Sequence, residues 1–144
     1  MTVLDLPPTT ESVPTARRFV RQMMADGDTA ADVDTASLLV TEIVTNAVLH
    51  ARPPMTVRIR VEADVVRIEV GDGSAARPRL QNFSATAATG RGLRLVESLA
   101  ARWGVRSEPR GGKVVWFEVG PESEAAFAAS WALTAEDLLA EGEL

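Results

Sequence analysis

Three short stretches of this sequence combine residue types that can act on a charged ligand. The first is Leu38-Leu39-Val40-Thr41-Glu42-Ile43-Val44-Thr45-Asn46-Ala47-Val48-Leu49-His50. Glu42, Asn46 and His50 are four residues apart, so on a helix they share one stripe. A carboxylate can take a proton from an attacking hydroxyl, and an amide oxygen suits a hard cation such as Mg²⁺. A solvated polar stripe on an amphipathic helix has the same spacing. Two features argue for more than that: Asn is a poor residue inside a helix, and this stripe holds one base, one neutral oxygen ligand and one imidazole.

The second stretch is Val70-Gly71-Asp72-Gly73-Ser74, directly after an alternating apolar run. Asp-Gly is an ordinary turn pair. As part of a site, Asp72 at a strand end would accept a hydrogen bond from a ligand amine, and Gly73 would let a flat ring approach the backbone. The third is Thr89-Gly90-Arg91-Gly92-Leu93, where a helix is expected to start. A helix start offers free N–H groups and the positive end of its dipole, which suits phosphate. No Gly-Lys-Thr/Ser follows, so this is not a Walker loop, and it does not follow a strand as a Rossmann fingerprint would.

The elements that must position these residues follow from periodicity. After an extended lead-in with Pro7 and Pro8, Ser12 is placed to cap a helix carrying Val13, Ala16, Val20 and Met23, with Gly27 as its stop. A second helix begins near Asp32 or Asp34 and runs to about His50, ended by Pro53-Pro54. Met55, Val57, Ile59 and Val61, then Val66, Ile68 and Val70, alternate with polar residues around Ala63-Asp64, predicting an antiparallel hairpin with one buried face. Residues 72–90 form a long loop of Gly, Ser, Ala, Thr, Arg and Pro, a length usually tied to function. A third helix from about Gly92 has Leu93, Val96, Ala100 and Trp103 on one face; a strand near Val105, a turn at Gly111-Gly112 and a strand Lys113–Val119 complete the pattern. This order predicts an α+β two-layer sandwich, helices on one face of a mixed, mostly antiparallel sheet. One domain spans residues 1–120, and 121–144 form an Ala- and Glu-rich tail expected to be helical.

Bulk properties narrow the chemistry. A chain of 144 residues with 46% apolar and 24% charged residues suits one soluble domain with a real core. With no cysteine and only His50 as histidine, thiolate and histidine-cluster metal sites are excluded. The net charge of −5 gives nucleic-acid binding no support. No apolar run approaches the ~20 residues of a membrane span, and the opening lacks the features of a secretion signal, so a cytoplasmic protein is expected.

Taken together, Glu42 with Asn46 on a helix, Asp72-Gly73 at a strand end and Gly90-Arg91-Gly92 opening a later helix resemble the conserved boxes of the Bergerat (GHKL) ATPase fold. More narrowly, Thr41–Ala47, Asp72-Gly73-Ser74, Gly90-Arg91-Gly92-Leu93 and Gly112-Lys113-Val114-Val115-Trp116-Phe117-Glu118 are similar to the small RsbW-type anti-sigma-factor serine/threonine kinases of actinobacterial type. The resemblance covers about residues 8–120. It implies ATP and Mg²⁺ as ligands, Asn46 on the metal and Glu42 as general base. It further implies Asp72 on the adenine amine with Gly73 beneath the ring, and Gly90, Arg91, Gly92 and Leu93 around the phosphates. Residues 74–89 would be a lid, with His50 and Arg52 near the nucleotide. The implied partners are a sigma factor and a STAS-type anti-anti-sigma protein, with a homodimer plausible.

The sequence departs from the family pattern in three places. The usual Asp-x-Gly-x-Gly is reduced to Asp72-Gly73-Ser74-Ala75-Ala76. Val114 is the best match to a last-strand Thr that helps hold adenine. No histidine-phosphoacceptor helix is apparent upstream in this sequence, so a complete sensor kinase is not expected. A module that regulates a partner by sequestration alone is therefore the second reading, favoured by the first two departures, and a plain ATPase is the third.

Overall fold

The computed structural model describes residues 1–50, 55–72, 90–109 and 112–121, apart from the side chains of residues 50 and 90–93. Along the chain run β1 (Thr2–Leu6), α1 (Ser12–Gly27), α2 (Val33–His50), β2 (Met55–Val61), β3 (Val66–Asp72), α3 (Gly90–Leu99), β4 (Arg102–Ser107) and β5 (Lys113–Val119). The strands form one sheet in the order β1-β2-β3-β5-β4, and all four pairings are antiparallel, so the described sheet has no parallel member. Helices α1 and α2 pack on this sheet and α3 packs against α2, giving the expected α+β sandwich. The lead-in is a strand: β1 pairs with β2 from Thr2↔Ile59 to Leu6↔Met55.

Alternation drives the sheet onto its helices. Ile59 lies opposite Ile68, and Ile68 opposite Phe117; Val57, Val70 and Val115 form the next row. All six are buried on the helix side. Full burial of such side chains contributes about 1.5–3 kcal/mol each. The intervening Thr56, Arg58, Arg67, Glu69, Val114, Trp116 and Glu118 occupy the outer face, because successive side chains of a strand point to opposite sides.

The helix ends have specific causes. Ser12 does not cap α1: Glu11 holds the cap position without a side-chain bond, and the Ser12 hydroxyl donates to the Pro7 carbonyl from within the first turn. Ala16, Val20 and Met24 make the buried stripe. The helix stops at Gly27, followed by Asp28 at φ 52°. A Cβ on Gly27 would lie 2.5 Å from Val61 Cγ1, so the close seating of α1 on β2 requires glycine there. Asp32 caps α2, its carboxylate accepting from the Asp34 N–H at 3.1 Å and the Thr35 hydroxyl at 2.6 Å. Helix α3 starts at Gly90 and buries Leu95, Val96 and Leu99. Trp103, expected on that helix, sits on β4 opposite Phe117. Among the described residues no helix is long and apolar enough to cross a membrane.

Candidate functional site

Helix α2 is anchored at one end of the sandwich. The Asp32 N–H donates to the Gly120 carbonyl at 2.8 Å, the Ala30 N–H donates to the Ala63 carbonyl at 2.8 Å, and Ala31 bridges to Pro121. These contacts lie beside the Val66↔Val119 end of the sheet. From there Asn46 is about 20 Å along α2 at ~1.5 Å per residue. Asp72 is about 20 Å along β3 at ~3.3 Å per residue. The two residues therefore reach the same level of the sandwich, with Glu42 one turn before. Both Glu42 and Asn46 are half-buried, so the stripe is not a freely solvated face. Leu39, Val40, Ile43 and Val44 beside it are buried.

Helix α3 runs the opposite way. Its C-terminal end is fixed where the Ala101 N–H donates to the Glu118 carbonyl at 2.8 Å. Its first residue, Gly90, is thus about 15 Å back towards the Lys113 end of β5. That is the end at which Asp72 lies opposite Lys113. The first turn of α3, Gly90-Arg91-Gly92-Leu93, thus brings free N–H groups to the level of Asp72. By these lengths the C-terminal half of α2, the end of β3 and the start of α3 lie towards the same end of the fold. A partial negative charge from α2 and a partial positive charge from α3 arrive there together. This suits a phosphate-bearing ligand with its cation.

Asp72 shares the face of Val66, Ile68 and Val70, so its carboxylate belongs to the helix side of the sheet. Its side chain is 5% exposed and lies 3.9 Å from the Lys113 ammonium. Val114 pairs with Gly71 and faces the outer side; a Cβ on Gly71 would meet its Cγ2 at 3.5 Å. Val114 is therefore not the last-strand neighbour of Asp72. Lys113 is, and reading β5 alone missed it, because the register with β3 decides which residue faces Asp72. His50 closes α2, with its side chain outside the description. Gly73, Arg52, the lid at 74–89 and the tail at 122–144 lie outside the described residues. Among the described residues no cluster of three or more His, Asp or Glu side chains could hold a metal. A magnesium ion at Asn46 would take most of its ligands from phosphates and water, as is usual for this ion.

The outer face of the sheet carries a separate polar construction that sequence reading missed. Arg67 donates to Glu69 at 2.9 Å and to Glu118 at 3.1 Å, and Arg106 donates to Glu69 and to Glu108, each at 3.1 Å. The Arg67 guanidinium lies 4.1 Å from the centre of the Trp116 ring. Gly104 sits beneath that ring, where a Cβ would come within 2.7 Å of the indole nitrogen. A cavity of about 270 Å³ opens here between Arg58, Glu69, Gly71, Arg106 and Val114; of the expected site residues only Asp72 borders it. Burial alone would raise the pKa of Glu69, but hydrogen bonds from Arg67 and Arg106 and their charges outweigh it and hold the carboxyl below its ordinary 4.5. A depressed folded-state pKa stabilises the fold fully above the ordinary value and progressively less as pH falls through the depressed one. Unfolding free energy measured by urea titration should therefore drop between neutral pH and pH ~3. Glu69→Gln should flatten that drop while lowering stability at neutral pH, since it weakens two buried-side ion pairs.

Residues 6–118 match the histidine kinase-like ATPase domain family. The chain belongs to this family, and its fold is that of an ATP-binding domain. No curated protein matches the chain.

Proposed function

We propose that the protein is an anti-sigma factor with serine/threonine kinase activity. In this reading it binds Mg-ATP, sequesters a sigma factor in the cytoplasm, and phosphorylates a Ser or Thr of a STAS-type anti-anti-sigma partner. What supports it is that, by element length from their anchor points, Glu42 and Asn46, Asp72 and the first turn of α3 reach the same end of the sandwich. Phosphoryl transfer to a protein hydroxyl needs mainly positioning and charge stabilisation, which a carboxylate, an amide and a helix start together can supply.

Asp72 accepts a hydrogen bond from the adenine amine, and the N–H groups of Gly90, Arg91 and Gly92 hold the phosphates. The Asn46 amide oxygen would hold Mg²⁺ on the protein side, and the ion would supply neutralising charge to the phosphates. Glu42 takes the proton from the partner hydroxyl as it attacks. The start of α3 stabilises the negative charge that develops on the transferred group.

The second reading, sequestration without catalysis, is favoured by the missing glycine in Asp72-Gly73-Ser74-Ala75-Ala76. Val114 no longer supports it, because that side chain faces away from Asp72. Incubation with labelled ATP and a candidate STAS-type partner protein separates the two. Transfer of label to a Ser or Thr of that protein is expected. Tight sigma-factor binding with no transfer would leave sequestration alone.

A further inference from the structure

Beside the carboxylate expected to meet adenine, the fold places a cation that this role does not require. Asp72 and Lys113 are direct partners in the β3–β5 register, so both side chains leave the sheet on the helix side. The Lys113 ammonium is 3.9 Å from Asp72 Oδ2, with the Lys113 side chain 26% exposed and that of Asp72 only 5%. A carboxylate only accepts hydrogen bonds and an ammonium only donates them. Together they present an acceptor next to a donor. The edge of adenine offers the complement: a 6-amine that donates, adjacent to ring nitrogen N1 that accepts.

We propose that Lys113 is a base-reading residue, donating a hydrogen bond to N1 of adenine while Asp72 accepts from the 6-amine. The proposal rests on the ATP-site reading and names the second group that would enforce it. The ammonium carries three donors on a flexible stem, so it can serve Asp72 and a ring nitrogen at once. It also sets a positive charge beside a nearly buried carboxylate that a flat aromatic ligand would cover. Guanine presents its acceptor and donor in the reverse order, O6 then N1–H, and so mismatches both groups together.

The test is calorimetric, on the full chain with Mg²⁺ and three nucleotides: ATP, 1-deaza-ATP (C–H in place of N1) and purine riboside triphosphate (no 6-amine). The wild type should bind 1-deaza-ATP roughly tenfold to a hundredfold more weakly than ATP, the usual worth of a hydrogen bond to a charged group. Lys113→Met, which keeps the apolar stem, should bind ATP and 1-deaza-ATP alike and still discriminate against purine riboside triphosphate through Asp72. Equal wild-type affinity for ATP and 1-deaza-ATP, with purine riboside triphosphate still disfavoured, overturns the role of Lys113 and leaves the adenine site standing. Tighter ATP binding by Lys113→Met also overturns it, making Lys113 a competitor for Asp72. If the wild type binds none of the three, the ATP-site reading falls and this proposal with it. The analogue comparison needs only the wild-type protein, so a variant that fails to fold does not blunt it.

Discussion

Glu42→Gln should bind Mg-ATP as the wild type does and transfer phosphate to its protein partner about 10²–10⁴-fold more slowly, the usual worth of a positioned base. Glu42 and Asn46 lie one turn apart on α2 and are both half-buried, yet the proposed function gives them different tasks. Gln keeps the length, shape and hydrogen-bonding capacity of Glu and removes only its ability to take a proton. The comparison therefore isolates the chemical step from binding. Single-turnover transfer, with ATP affinity measured in parallel, reads both. Asn46→Ala should instead weaken Mg-ATP binding itself. A wild-type rate for Glu42→Gln would take Glu42 out of the role of base.

The largest effect on stability should come from Phe117→Ala. Phe117 is fully buried on β5, an interior strand, opposite Ile68 on one side and Trp103 on the other. Truncation removes most of an aromatic ring from the centre of the core and leaves a cavity that the flanking strands cannot close, because both are held in register. Losses of this kind run to about 3–5 kcal/mol. That is a large part of the ~5–15 kcal/mol available to a domain. Urea unfolding should show a much lower midpoint with an unchanged slope. A loss below ~1 kcal/mol would mean the β5 row is not packed as described.

What was legible in the sequence was local. The Glu42–Asn46–His50 stripe follows from helical spacing, and the β2–β3 hairpin from alternation on either side of Ala63-Asp64. The start of α2 was legible as well, because an Asp cap acts within its own turn. What escaped depends on partners far along the chain. In β1 only Leu4 and Leu6 alternate inward, too short a signal to outweigh Pro7-Pro8 without knowledge of its pairing with β2. Trp103 continues the helical spacing of Leu93, Val96 and Ala100, but the chain leaves the helix at Ala100-Ala101 to pair with β5, and sheet pairing prevails over local period.

The same cause misplaced the neighbour of Asp72. Within β5 alone Val114 is the best match to the last-strand Thr; only the register with β3 turns it to the outer face and sets Lys113 opposite Asp72. The outer-face network was hidden for a related reason. Arg67, Glu69, Arg106 and Glu118 each read as ordinary polar residues of a solvated face. It takes three adjacent strands to bring them together and bury Glu69.

ATP binding is tested most directly by thermal unfolding of the wild type and Asp72→Ala with and without Mg-ATP. At a hundred times its dissociation constant, a ligand that binds only the folded state adds about 2.7 kcal/mol. For a domain of this size that corresponds to a rise in Tm on the order of 10 °C. The wild type should show that rise, and Asp72→Ala should melt normally alone yet lose most of the shift. A wild-type melting temperature unchanged by millimolar Mg-ATP would contradict a working nucleotide site at the meeting of α2, β3 and α3.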